Sequence, residues 1–249
     1  MSQATNSAFL LILEYDGTRF SGWQAQPGLR TVQAELVGAL KRLFKAPSSI
    51  TVAGRTDAGV HALKQAVSFC ASTAIPIFNI QHALNAYLPR DISVAQVRRS
   101  PKGFNARHNA KIKVYEYHIW NRPYRSVWNG ANAWHVKLPL DVGLMRKAAK
   151  LLCGKRDFSS FEAKNSVLKS KIASLSSVRV SSRAGVIIIT FTGNRFLYKM
   201  VRNMAGTLVD VGLKKIEPEK IPSILSSKKR SWAGQTAPAS GLFLKRIIF

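Results

Sequence analysis

Residues 54–61 read Gly-Arg-Thr-Asp-Ala-Gly-Val-His. Asp57 lies between two glycines with Arg55 close by, in a chain of 38 lysines and arginines but only 12 aspartates and glutamates. The formal charge is +26. Such a chain attracts polyanions, and any carboxylate near bound phosphates weakens that attraction. An aspartate retained in this setting has two readings. It can be a turn residue, because Asp bonds its own backbone and Gly accepts positive φ. It can instead be a carboxylate kept ionised by a neighbouring guanidinium and used as a nucleophile.

Other chemistries find less support. Cys70 and Cys153 stand far apart without metal-ligand spacing, and Cys70 falls in the strand-like run 66–71, which suits a buried thiol. The 5 histidines form no His-x-x-x-His pair and no His/Cys cluster, so neither a metal nor another cofactor is expected. His61, at the end of the aspartate loop, can touch substrate or satisfy local backbone groups. Cationic residues gather at Arg98, Arg99, Lys102, Arg107, His108, Lys111 and Lys113, and again at Lys228, Lys229 and Arg230 beside Trp232. Phe20, Trp23, Tyr115 and Tyr117 lie near such charges. Cations grip phosphates and aromatic rings stack on unpaired bases, which points to RNA. The alternative is a solvated cationic surface with the aromatics buried apart from it. Residues 1–10 lack the basic start and apolar stretch of a secretory signal, and runs such as Val186–Ile189 are too short to span a bilayer. A soluble, cytoplasmic protein without membrane contact is expected.

The elements that must hold these residues follow from periodicity. Residues 8–15 read as a buried strand stopped by Asp16-Gly17. Thr31 is a candidate N-cap for a helix over 31–45, where Val32, Leu36, Leu40, Leu43 and Phe44 keep a helical period. A short strand over 50–53, a strand over 65–71, a helix over 78–88 and a strand over 92–97 complete a β-α-β-β-α-β order. The second half repeats it loosely: strand 112–120, helix 141–152, strands 174–181 and 185–192, helix 195–211, a short helix near 218–225 and a strand over 242–249. The fold class is therefore α+β, with two tandem ferredoxin-like halves, 1–104 and 105–249, forming one extended, mainly antiparallel sheet with helices on one face. Residues 54–64 then connect two hairpin strands, and ordinary hairpin loops take only about two to five residues. The excess length suggests work beyond turning the chain.

Gly54–Ala62 resembles the active-site motif of the TruA-type tRNA pseudouridine synthases. The likeness continues in order through Tyr15–Gln24, Phe104–Arg107 leading to Tyr115-Glu-Tyr117, Phe158–Phe161, Met200–Asn203 with Gly206, and Ala233–Pro238 followed by Gly241-Leu242. The resemblance implies the pseudouridine synthase fold and a cofactor-independent homodimer that isomerises uridine to pseudouridine in the tRNA anticodon stem-loop, at positions 38 to 40. It also implies Asp57 as nucleophile, Tyr115 stacked on the target uracil, Arg202 paired with the aspartate, and Arg55 opening the RNA around the flipped base. Taken without it, Arg202 reads as a surface arginine and Tyr115 as either core or base platform. Lys111-Ile-Lys113 departs from the family, whose members often carry a denser arginine pair there. A non-catalytic RNA-binding protein would leave the aspartate loop idle. A nucleoside-cleaving hydrolase would want a second carboxylate near Asp57 in sequence, and none is placed there.

The charge makes its own prediction. Each neutralised phosphate contributes about −0.7 to −0.9 to the slope of log affinity against log salt, so tRNA affinity should fall by orders of magnitude over a modest rise in salt. Filter binding across a salt series measures this, and a flat response would rule out a phosphate-driven interface.

Overall fold

The apolar run from Phe9 to Leu13 becomes a strand buried on both faces. In the computed structural model, which describes residues 5–44, 47–163 and 170–249, the chain begins with β1 (Thr5–Tyr15), α1 (Val32–Leu43), β2 (Ser48–Val52) and β3 (His61–Thr73). There follow α2 (Ile77–Tyr87), β4 (Ile92–Ser100) and the one-turn α3 (Ala106–Asn109). β1 pairs antiparallel with both β3 and β4, and β2 also pairs with β3. Pairing Phe9 with Phe69 and Leu11 with Val67 puts apolar side chains opposite each other. The Phe9 and Phe69 rings stack at 5.2 Å, and Phe44, at the end of α1, lies 5.6 Å from Phe69. On the other face Leu10 packs with Ala53, Ala66 and Ala106, joined by Ile12, Phe104, Ile247 and Phe249. Two-sided burial explains why this strand reads as a continuous apolar run rather than an alternating one.

The remaining elements are β5 (Ile112–Asn121), β6 (Trp134–Val136), α4 (Val142–Leu151), β7 (Gly154–Asp157), β8 (Ile172–Arg183) and β9 (Val186–Gly193). They end with α5 (Met200–Gly212), α6 (Ile221–Ser227) and β10 (Leu242–Ile248). β5, β9, β8 and β7 pair in that order, all antiparallel, while β6 runs parallel to β5. Buried and more exposed residues alternate along β9, as they must when one face covers a core. α5 is different: every residue except Arg202 is buried, the mark of a helix enclosed by its surroundings.

The chain divides into two compact units. One holds the described residues up to Lys111 with Leu244–Phe249, the other Ile112–Phe243. The expected divide after Phe104 falls inside the first unit, ahead of α3. The α+β class and the mainly antiparallel pairing are as the sequence suggested. Three details differ. β3 begins at His61, because Ala62 already pairs with Tyr15, so the aspartate loop spans 53–60 rather than 54–64. The helix expected over 195–211 starts at Met200, because Lys199 takes a left-handed φ of 55° and Met200 N–H closes a turn onto Leu197 O. The helix expected over 31–45 ends at Leu43, and Lys45 lies outside the described residues. Among the described residues, no helix is long and apolar enough to cross a membrane.

Candidate active site

The aspartate loop is held along its length by the segment after β1. Trp23 N–H donates to Thr56 O at 3.0 Å, Gly59 N–H to Phe20 O at 3.2 Å, and Val60 N–H to Asp57 O at 3.2 Å. Tyr15 Oη and Thr56 Oγ1 share a buried hydrogen bond of 2.8 Å, and Gln65 Nε2 donates to Gly54 O at 2.7 Å. Burial pushes the Tyr15 phenol up to about 12, against the pull of its bonds to Thr56 and Gln65, so it stays a neutral brace at ordinary pH. Contact this close needs glycine. At Gly22, where φ is +91°, a Cβ would stand 2.8 Å from Thr56 O and 3.1 Å from Asp57 C. At Gly17 it would collide with the Val60 carbonyl. Asp57 itself is half-buried and Arg55 is exposed on the same loop.

His61 closes this loop. It is 1% exposed, and its Nδ1 lies 3.1 Å from Gly17 N and 3.0 Å from Asp16 Oδ1. A bare Nδ1 accepts from Gly17 N–H, whereas a protonated Nδ1 donates to Asp16, so the two contacts alternate with the proton. The bond to Gly17 N–H gives it the local backbone role. Partial burial pushes the Asp16 carboxyl up, but the Thr18 hydroxyl and N–H, together with His61, outweigh it and hold the group below its ordinary value. Its anchoring of this corner is therefore present above the ordinary carboxylate pKa and fades as pH falls through the lowered one.

The second unit builds a separate scaffold around Arg202. Arg202 Nε donates to Ala237 O at 2.7 Å, and Ala237 N–H donates back to Arg202 O at 3.2 Å. Next along α5, fully buried Asn203 donates to Phe161 O at 2.7 Å. Its Oδ1 accepts from Thr236 Oγ1 at 2.6 Å and Arg230 Nη2 at 3.1 Å. Gly234 N–H donates to Thr207 Oγ1, and Gly206 has no room for a Cβ against the Gln235 carbonyl. Residues 158–161, 200–206 and 233–238 thus form one network. In the same unit Tyr117, 0% exposed, donates to Pro238 O at 2.8 Å. Burial raises its pKa, and the charge of Arg202 opposes that rise. Tyr115, two residues earlier on β5, is 7% exposed and meets Phe196 edge to face at 5.0 Å.

Several surface expectations need correcting. Phe20, Trp23 and Tyr117 are core residues, not base platforms. Phe20 instead carries the Arg30 guanidinium 4.2 Å above its ring. Arg230 turns inward: it also donates to Ala233 O and Gly234 O, and burial draws its pKa below the usual arginine value. Arg98, Arg99, Lys102, Arg107, His108 and Lys111 are exposed, as a phosphate-facing surface requires. Asn203, Arg230 and Gln65 are supports that periodicity alone could not have selected. Among the described residues, no three of His, Cys, Asp and Glu gather as metal ligands would.

The profile of the tRNA pseudouridine synthase family matches residues 11–109 and 148–249. The chain belongs to that family. The protein named tRNA pseudouridine synthase A from Thermoanaerobacter sp. (strain X514) is 41% identical over 240 residues, 96% of this chain and 98% of the relative. The protein of the same name from Bacillus subtilis (strain 168) is 41% identical over 239 residues, 95% of this chain and 97% of its own. That from Moorella thermoacetica is 42% identical over 241 residues, 96% and 98% of the two chains. tRNA pseudouridine synthases isomerise uridine to pseudouridine in tRNA. For such an enzyme, the packing of Gly17 and Gly22 against the aspartate loop gives the Tyr15–Gln24 motif a physical purpose.

Gly22→Ala tests that purpose. The added methyl must displace the loop or strain the left-handed backbone, so stability should fall by more than about 1 kcal/mol. The single-turnover rate on tRNA should fall further than tRNA affinity. Denaturant titration and tritium release from C5-labelled uridine measure the two effects, and wild-type values for both would show that the loop is not held through Gly22.

Proposed function

We propose that this chain isomerises uridine to pseudouridine in the anticodon stem-loop of tRNA, at positions 38 to 40, without a cofactor and with Asp57 as nucleophile. The observation that carries this reading is Asp57 itself, held on a loop pinned by Trp23, Phe20 and His61 in a member of the tRNA pseudouridine synthase family. The position within tRNA rests on the resemblance to the TruA type.

The reaction breaks the N1–C1′ glycosidic bond and forms a C5–C1′ bond; the C5 proton passes to solvent and N1 takes one up. Atoms balance without oxidant, reductant or water. A carboxylate serves such a step in either of two ways: by attack on C6 of the uracil, or by trapping C1′ once N1 departs. In both, the base must leave its stack, at a cost of a few kcal/mol. Tyr115, its ring fixed edge-on by Phe196, offers the flipped uracil a flat neighbour. Arg202 pairs with the aspartate, its aim steadied by Ala237. Arg55, exposed beside Asp57, opens the RNA around the target. A cytoplasmic homodimer acting on tRNA completes this reading.

Asp57→Asn keeps the shape and removes the anion. Tritium release from C5-labelled tRNA should vanish while tRNA affinity stays near wild type, and substantial pseudouridine formation would sink the nucleophile assignment. Arg202→Met should lower the single-turnover rate by roughly 100-fold, the scale of losing one positioned donor, with a smaller change in affinity. Arg202→Lys should recover only part of that loss, because an ammonium cannot reproduce a guanidinium fork. Unchanged turnover in Arg202→Met would remove the arginine from the site.

A further inference from the structure

A cup of about 440 Å³ opens beside the aspartate loop, lined by Asp16, Arg19, Arg30, Pro89, Arg90 and Asp91. We propose that it binds one phosphodiester of the RNA strand next to the target uridine, gripped by Arg19 and Arg90. This rests on the reading of the chain as a tRNA-modifying enzyme.

The acids in the cup are already occupied. Both Asp91 carboxylate oxygens accept from Arg30, at 2.7 and 2.8 Å, and Arg30 Nε donates to Glu35, outside the cup, at 3.1 Å. Stacked over Phe20 and bonded at three nitrogens, Arg30 is a fixed wall rather than a free cation. Asp16 Oδ1 accepts from Thr18 Oγ1 at 2.6 Å and Thr18 N at 3.0 Å, and lies against His61. Asp16 N–H donates to Asp91 O at 3.0 Å, tying the two sides of the cup together. Arg19 and Arg90 are both exposed, and neither has an ion-pair partner among the described residues. Two unspent guanidiniums over a braced floor suit a tetrahedral anion, which takes their N–H groups in charge-assisted pairs.

Position selects the source of the phosphate. Gly17 and Phe20, on either side of Arg19, pack on Val60 and accept from Gly59 respectively, so the rim of the cup continues into the loop that carries Asp57. A strand whose base reaches Asp57 therefore runs its own backbone past Arg19. The cup fixes the strand before chemistry and touches no reacting atom, so its contribution belongs to binding.

The test compares full-length R19Q/R90Q with K147Q/K150Q, which removes the same charge from exposed positions on α4. tRNA affinity is measured by filter binding across a salt series. In R19Q/R90Q the log–log salt slope should become shallower by about 1, the value for one lost phosphate contact, while K147Q/K150Q keeps the wild-type slope. Ethylation of one backbone phosphate should weaken wild-type binding and cease to matter in R19Q/R90Q. The single-turnover rate at saturating enzyme should fall by a smaller factor than the affinity does. An unaltered slope in R19Q/R90Q, equal changes in the two variants, or identical ethylation patterns would overturn the proposal. So would inorganic phosphate displacing tRNA from wild type beyond chloride of equal ionic strength, which would mean the cup takes the free anion. Absence of tritium release by the wild-type protein would defeat the functional reading instead, and the binding comparison would stand apart from it.

Discussion

The close approach of two backbone segments, Asp16–Trp23 against Thr56–Val60, is the constraint on which the aspartate loop depends. Hydrogen bonds from Trp23 and Gly59 cross between them, and Gly17 and Gly22 leave no room for a side chain. A loop joining two strands is normally the most mobile part of a sheet. Here Trp23 and Phe20 tie it to the segment that follows β1, and Tyr15 ties it to the end of β1 itself, a strand buried on both faces, so the rigidity of β1 passes to Asp57. A carboxylate that must meet one atom of a flipped base gains from such preorganisation, since misplacement by even an ångström is costly.

The second unit reaches the same end by different means. Instead of glycine contacts it uses buried polar groups that are satisfied by one another. Asn203 sits at the centre, accepting from Thr236 and Arg230 and donating to Phe161. A buried amide is expensive unless its bonds are made, so this network admits little variation in geometry. It fixes the residues around Ala237, and Ala237 in turn holds Arg202.

The strong positive charge is divided between unlike tasks. Most cations among the described residues are exposed and available to a polyanion, whereas Arg30 and Arg230 are tied up by partners within the chain. Arg30 clamps Asp91 and Glu35, and Arg230 bonds two backbone carbonyls and two side chains. Composition counts all of these alike. Only geometry separates the arginines that hold the protein together from those left for a ligand.

Much of the architecture was legible because it rests on local periodicity. The apolar run at 9–13, the Thr31 cap and the helix that follows it, and the end of α5 at Gly212 are properties of neighbouring residues. The ordered motifs led to the family for the same reason, being short and contiguous. The sequence could not disclose that β3 starts at His61, since that depends on Ala62 pairing with Tyr15. Nor could it tell that Phe20 and Trp23 are core, or that Arg230 faces inward, because burial is decided by what packs from distant parts of the chain. By itself the sequence determined the element types, the charge and the chemically capable residues. The tertiary structure alone decided which of those residues are braced, buried or left exposed, because hydrogen bonds and steric contacts between remote segments have no local signature.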